Sequence, residues 1–472
     1  MSQRRSYSAR FLPFSDAASA ELPLGQLLRL SLFQVSAGMA SVLLLGTLNR
    51  VMIVELSVAA IVVAAMIALP VLVAPFRALL GFRSDTYRSA IGWKRIPYMW
   101  FGSLWQFGGL AVMPSCLLVL GGDVVHDIPF AGEVLAGLAF IMTGLGIHMT
   151  QTAGLALASD RATDETRPRV VALLYVMFLV GMGVSAVIIG ALLRDFTALK
   201  LIQVVQGAAV ATLVLNVIAL WRQERVRPMS KSERAAPRPR FRAAWNDYAA
   251  GGTAGRLLVV VFLGTMAFNM QDVLLEPYGG EILGLSVSAT TLLTAIWAAG
   301  ALMGFAHAAR RLTRQADPFR LAARGLLIGI AAFSAVIFAA PLDAAWLFYA
   351  GARGIGLGGG LFAVATLTAA MTMPAEGLAG RGLALGAWGA AQATAAGLSI
   401  FIGGAVRDAV QSTQLVDLLG PATGYSVVYH IEIALLFATL AILGPLVRLK
   451  ITRSEHRNSQ AQGKFGLADL PT

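Results

Sequence analysis

The chain has 472 residues, 57% of them hydrophobic and 13% charged, with a mean hydropathy of +0.71. Soluble domains carry roughly 25% charged residues, so a water-soluble fold is excluded. The net charge of +12 would suggest nucleic acid on a soluble protein, but here it must first be read as sidedness across a membrane. The single cysteine, Cys116, rules out an intrachain disulfide.

A membrane-spanning helix needs ~20 mostly apolar residues. Twelve such runs follow one another at approximately 27–48, 53–80, 97–120, 130–158, 168–193, 199–221, 256–278, 287–309, 319–340, 344–373, 382–406 and 425–449. Asn49-Arg50, Gly121-Gly122-Asp123, Pro341 and Gly420-Pro421 fall at breaks between runs. Pro70, Pro75 and Pro114 are expected to kink the second and third helices. The N-terminal Arg4, Arg5 and Arg10 are not followed by a short apolar core with a small-residue cleavage site. The first run is therefore expected to stay as an anchor. The expected organisation is an N-tail over 1–26, a six-helix bundle over 27–221, a flexible basic linker over 222–255, a second six-helix bundle over 256–449 and a C-tail over 450–472. The fold class is an all-α membrane protein of twelve transmembrane helices.

Lys and Arg settle the expected orientation. With the N-terminus on one side, 32 of the 37 basic residues fall on that side and 4 on the other, with Arg353 alone inside a helix. Both termini and the central linker are then cytoplasmic. The basic balance reads as a topology signal and as contact with anionic lipid, with no nucleic-acid partner.

The two halves are related. Gly144, Gly146, Leu155, Ala158, Arg169, Ala172 and Leu173 recur 212 positions later as Gly356, Gly358, Leu367, Ala370, Arg381, Ala384 and Leu385. At an offset of 213, Gly190, Arg194 and Asp195 match Gly403, Arg407 and Asp408. Parallel six-helix repeats of this kind build one large transporter superfamily.

Three constellations carry chemistry. The first is Gly81, Asp85 and Arg88, followed by Gly92, Lys94 and Arg95, in the turn between the second and third runs. An acid among bases there can brace one helix end against its neighbours, and the pattern resembles the signature loop of the major facilitator superfamily. The corresponding turn after the eighth run keeps Gly304, Arg310, Arg311 and Arg314 but lacks the early Asp. The second constellation is His148 with Gln151 on the fourth run. A neutral imidazole at mid-membrane can hydrogen-bond a neighbouring helix, or it can give one axial ligand to a metal already held in a macrocycle. With no companion at ligand spacing it cannot build a zinc site. The third is Asp272 and Glu276, four apart on one helix face. Arg353 on the tenth run lies at a similar depth. An unpaired charge there is costly, so Arg353 is expected to pair with Asp272 or Glu276, with Glu432 in reserve. That pairing serves either as a structural tie or as a proton-coupled gate. There is no nucleophile–base pair, phosphate loop or metal cluster, and an enzyme is not expected.

Longer strings carry a more specific likeness. They are Leu30 to Val35, Gly46 to Glu55, Gly81 to Pro97, His148 to Asp160, Arg167 to Tyr175 and Met270 to Gly280. From about residue 21 to 450 the chain resembles the bacteriochlorophyll delivery family of the major facilitator superfamily, the PucC and LhaA branch. The resemblance implies an assembly factor for bacterial light-harvesting antenna, leaning toward the core antenna, that handles bacteriochlorophyll or nascent antenna α/β polypeptides. The reaction centre and bacteriochlorophyll synthase would be further partners, in the inner (intracytoplasmic) membrane. His148, Gln151 and His430 are the expected pigment-binding residues, with water or a backbone carbonyl as substitutes because Mg²⁺ prefers oxygen. The alternative is a proton-coupled secondary transporter of a small solute.

Overall fold

The computed structural model describes residues 15–462 except 53–55, 57, 59, 88, 123–127, 194–196, 227, 229, 231–239, 251, 286 and 373–379. The described residues form helices joined by turns and short irregular connections, with no strand among them. Eleven helices are long and apolar enough to cross a membrane. Helix Val287–Thr313 occupies the remaining, eighth position, which completes the expected twelve. In chain order the helices are α1 (Leu24–Thr47), the broken pair α2 (Ala60–Leu72) and α3 (Phe76–Thr86), α4 (Ile96–Leu120), α5 (Ala131–Arg161), α6 (Arg167–Leu192) and α7 (Ala198–Leu220). There follow α8 (Phe241–Ala250), α9 (Thr253–Asn269), α10 (Leu275–Glu281), α11 (Val287–Thr313), α12 (Pro318–Ala339), α13 (Ala345–Thr372), α14 (Arg381–Gln411) and α15 (Thr423–Gln462). Helix starts carry local signals. Pro97, Pro168 and Pro318 sit in the first turns of α4, α6 and α12, where a missing N–H costs nothing. Asp317 accepts from the Phe319 N–H at 2.9 Å. α4 runs unbroken through Pro114, whereas the second span breaks between Leu72 and Phe76.

The chain divides into two compact units. The first holds Met1–Ala250 together with Phe305–Thr313 and Leu367–Leu398; the second holds Gly251–Gly304, Arg314–Thr366 and Ser399–Thr472. The boundary after Ala250 lies inside the expected linker. The end of that linker is not the flexible segment foreseen. α8 buries Ala244 and Tyr248, and Phe241 meets the Phe82 ring edge-on at 5.5 Å. Its aromatic side chains give it an apolar face to pack, which a composition of Arg and Pro upstream concealed. Burial also pushes the Tyr248 hydroxyl well above its ordinary pKa.

The internal repeat has a packing meaning. In the first unit Gly144 lies against Pro70 of α2, and Gly146 against Gly102 and Gln106 of α4. In the second unit their counterparts repeat the contacts one half-chain later: Gly356 lies against Trp297 of α11, and Gly358 against Gly325 and Gly329 of α12. In each unit one helix of the repeat therefore touches two neighbours through glycines two residues apart. Apolar surfaces gain little by meeting in lipid, so close backbone approach supplies the attraction. Buried polar groups add a second tie in the first unit. Gln106 donates to Ser36 Oγ at 3.0 Å, and Ser36 Oγ donates to the Thr212 carbonyl at 3.3 Å, joining α4, α1 and α7. Large apolar side chains point outward instead: Trp100, Phe101 and Trp105 of α4 and Val184, Val187 and Ile188 of α6 are exposed. In water such patches would aggregate; in a bilayer they face their solvent.

A Cβ added at Gly146 would fall 2.7 Å from Gln106 Cα, whereas one added at Gly183 on α6 meets nothing within 4 Å. Gly146→Ala should therefore lower the melting temperature of the purified protein through overpacking of about 1–3 kcal/mol. Gly183→Ala should leave it unchanged or raise it, since Ala is favoured in a helix by about 1 kcal/mol. Thermal unfolding of the two variants side by side checks this.

Candidate functional site

At the basic end of the first unit, Arg95 is the hub. It is 4% exposed and precedes α4. Its guanidinium pairs with Asp85 on α3, bonds Ser84 Oγ, and meets Asp160 Oδ2 on α5 at 3.1 Å. Burial opposes its charge, but Asp160 and Asp85 outweigh that and hold its pKa above the ordinary value. Asp85 also receives the N–H groups of Gly382 at 2.9 Å and Leu383 at 2.8 Å. These are first-turn donors of α14 with no partner in their own helix, and the positive end of the helix favours a carboxylate there. Gly81 permits the contact, because a Cβ on it would strike the backbone of Gly382 and Gly386. Arg381 reaches Asp160 Oδ1 at 3.8 Å. Gly92 holds a positive φ of 86° that closes the turn. Lys94 contributes its backbone: Glu224 accepts from the N–H groups of Lys94 at 3.0 Å, Arg95 at 3.0 Å and Ile96 at 3.2 Å. Arg88 lies outside the described residues. Ser84, Glu224 and the first-turn amides of α14 are members that the sequence did not single out. Glu224 carried a signal, being the first of three acids, with Glu233 and Asp247, in a linker dominated by Arg and Lys.

His148 on α5 is tied to the broken span. Its Nε2 lies 3.0 Å from the Pro70 carbonyl. That carbonyl is available because the helix ends two residues later and the Ala74 N–H turns back to Val71 instead. A carbonyl only accepts, so Nε2 carries the proton and Nδ1 keeps the lone pair. Nδ1 is buried and has no partner among the described groups. A metal at the centre of a flat macrocycle has no approach to an atom so enclosed. Gln151 donates to Gln34 Oε1 at 3.2 Å and joins α5 to α1.

His430 on α15 presents the converse geometry. It is exposed, and its Nδ1 lies 2.7 Å from the Ser426 carbonyl. Here the proton sits on Nδ1, and the Nε2 lone pair points away from its own helix. One ring nitrogen fixed by a carbonyl and the other free is how ligating histidines are oriented.

The expected pairing of Arg353 is not found. Arg353 on α13 is exposed and donates to Met303 Sδ at 3.0 Å, and no described carboxylate lies within ion-pairing distance of it. Asp272 instead accepts from the Gln271 amide, and Glu276 accepts from the Thr294 hydroxyl. The reason is local. The chain leaves helical geometry at Asn269 and runs through a 3-10 turn over Met270–Val273 before α10 begins, so Asp272 and Glu276 do not share the face that an unbroken helix would give them. Glu432, the reserve partner, is fully buried, and neither of its oxygens has a partner among the described groups. Arg407, from the repeated Arg-Asp end, does find its charges: Glu281 at 2.8 Å, Asp408 at 2.9 Å and the Tyr425 hydroxyl at 2.9 Å.

Replacing Asp85 by Ala removes the Arg95 partner and the acceptor for two amides, so a loss of about 3–5 kcal/mol is expected. Asp85→Asn, which keeps one acceptor oxygen, should lose less; equal melting of the two variants would contradict this. Arg353→Ala and Asp272→Asn should be additive within about 0.5 kcal/mol in a double-mutant cycle, because the two groups are not coupled.

The profile of the PUCC protein family matches residues 47–451. An uncharacterized protein in the puhA-bchM intergenic region of Rhodobacter capsulatus is 64% identical over 471 residues, covering 99% of this chain and 98% of its own. Protein PucC of Rhodovulum sulfidophilum is 54% identical, covering 85% of this chain and 89% of its own. Among solved structures, FucP, a transporter of the major facilitator superfamily, superposes with a TM-score of 0.62 at 14% identity, covering 89% of this chain and 98% of its own. That likeness speaks for the fold alone, which is the facilitator fold expected from the repeat. Since the profile spans most of the chain and the relatives match nearly all of it, the protein belongs to the PucC family.

Proposed function

We propose that the protein is an assembly factor for bacterial light-harvesting antenna. It binds bacteriochlorophyll, nascent antenna α/β polypeptides or both within the inner membrane, with both termini cytoplasmic, and performs no covalent chemistry. Membership of the PucC family supports a photosynthetic role, and the 32-to-4 division of basic residues supports the orientation.

The observation that carries the reading is the exposed face of α15 that bears His430. Ala434, Phe437, Ala438, Ala441 and Pro445 are exposed with it, at spacings of three and four that keep them on one stripe. Small side chains allow a second helix or a flat ring to come close. His430 offers Nε2 at one end of that stripe as the single axial ligand a pigment magnesium needs. His148 serves the fold instead, through Pro70.

A second reading, a proton-coupled transporter of a small solute, is favoured by one feature. Glu432 is buried with two unpartnered oxygens, beside the 3-10 turn whose Gln271 backbone N–H faces it. A carboxyl without a counter-ion in lipid is a natural proton carrier.

Gentle purification followed by an absorption spectrum and identification of co-purifying chains separates the readings. Pigment or antenna polypeptides travelling with the protein are expected for the assembly factor. His430→Phe should reduce bound pigment several-fold while melting as the parent does, and His148→Phe should lower stability and leave the pigment per folded molecule unchanged. If neither pigment nor antenna chains are recovered, and Glu432→Gln abolishes proton uptake in vesicles, transport is the function.

A further inference from the structure

Three arginines are buried in the described structure, Arg77, Arg95 and Arg167. Arg95 has Asp85 and Asp160, and Arg167 has Asp164 at 2.6 Å. Arg77 has no described carboxylate within ion-pairing distance. It lies near the start of α3, 3% exposed, and its one described side-chain hydrogen bond runs from Nε to Thr152 Oγ1 at 3.1 Å. Nη1 and Nη2 donate to no described group, yet they are not among the buried atoms sealed from solvent. The count of basic residues along the sequence places Arg353 alone inside a helix, but Arg77 too lies inside a span, Ala65–Thr86.

The surroundings are arranged around this side chain. A Cβ added to Gly389 on α14 would fall 2.6 Å from Arg77 Cζ, so the guanidinium rests on bare backbone. Tyr175 on α6 and His148 on α5 are near enough to interact electrostatically with it. Tyr175 Oη and Trp388 Nε1 are buried polar atoms without partners. Arg77, Thr152, Tyr175 and Trp388 each lie seven to nine residues from the basic-end residues Asp85, Arg161, Arg167 and Arg381. At ~1.5 Å per residue they occupy one layer roughly 10–14 Å into the first unit. A cation at such a depth is costly without a counter-charge. A guanidinium with two free parallel donors matches the two oxygens of a carboxylate or phosphate.

We propose that Arg77 anchors a binding site for an oxyanion, the carboxylate or phosphate head of an amphiphilic ligand, and that Gly389 leaves the space in which the guanidinium lies. Arg77 grips the head with Nη1 and Nη2 while Thr152 holds Nε and fixes the plane of the fork. The site does not rest on the antenna-assembly reading, and it involves neither His430 nor Glu432.

The test uses the full chain in lipid nanodiscs, with thermal unfolding followed as hexanoate, hexyl phosphate or neutral methyl hexanoate is added. The anionic probes should raise the melting temperature of the parent protein and the ester should not. Hexanoate acting alone identifies a carboxylate ligand, and hexyl phosphate acting alone a phosphate ligand. In Arg77→Gln the apparent affinity for the active probe should fall about tenfold or more, as for loss of a charged hydrogen-bonded pair. Without probe this variant should melt no lower than the parent, because an unpaired charge has been removed. Arg77→Lys, a point charge without the fork, should give a reduced response. Gly389→Ala, which crowds the guanidinium but keeps the charge, should also weaken the response and serves as the check if Arg77→Gln fails to fold. Equal stabilisation by acid and ester, an equal response in Arg77→Gln or Gly389→Ala and parent, or no response to either anion in the parent overturns the proposal.

Discussion

In hydrocarbon, burying a leucine earns no advantage over leaving it among acyl chains, and the structure follows from that constraint. Cohesion has to come from backbones brought close together. The glycines of the internal repeat do this at Gly144 and Gly146 in the first unit and at Gly356 and Gly358 in the second. Helix identity changes between the two sets, but the geometry of contact does not. The surface is correspondingly rich in Trp, Phe, Val and Ile, because those side chains are already in a favourable solvent.

The same solvent makes every charge conspicuous. At the basic end the chain gathers Arg95, Asp85, Asp160 and Arg381 into one node and attaches the first turns of α4 and α14 to it through Glu224 and Asp85. Two orphaned helix ends and a buried cation are satisfied together, so the node is worth more than its individual pairs. In the second unit, Arg407, Glu281 and Tyr425 form a smaller cluster. Against this background two buried ionisable groups among the described residues stand out for having no counter-charge: Arg77 in the first unit, bonded to the neutral Thr152, and Glu432 in the second. The other buried arginines described, Arg95 and Arg167, are paired with carboxylates, and an ionisable group in lipid without a described mate is a functional candidate by default.

The two histidines show how a single hydrogen bond divides roles. In His148 the carbonyl of Pro70 accepts a hydrogen bond from the Nε2–H and the free lone pair on Nδ1 is enclosed. In His430 the carbonyl one turn earlier accepts a hydrogen bond from the Nδ1–H and the free lone pair is on Nε2 of an exposed side chain. The residue type is the same, and so is the partner type. The direction of the unused nitrogen differs, and for that reason the proposed pigment ligand is His430 rather than His148.

Composition, run length and the 212-residue offset determined the fold on their own, because hydrophobic spans and register are written in local sequence. The bracing turn was legible for the same reason: Gly81, Asp85, Gly92 and Arg95 lie within fifteen residues of one another. Partners at long range were not. Whether Arg353 met Asp272 depended on a 3-10 turn that rotates the carboxylate away, and Glu224 found its three amides across more than a hundred residues. The sidedness count sets Arg353 alone inside a helix and passes over Arg77, because charge alone does not reveal depth. Only the tertiary structure, by bringing Thr152 and Gly389 to it and no described carboxylate, decided that it is buried without a described counter-charge. A sequence fixes which groups must be paired in lipid, but pairing itself is a matter of direction and distance between helices that the order of residues does not state.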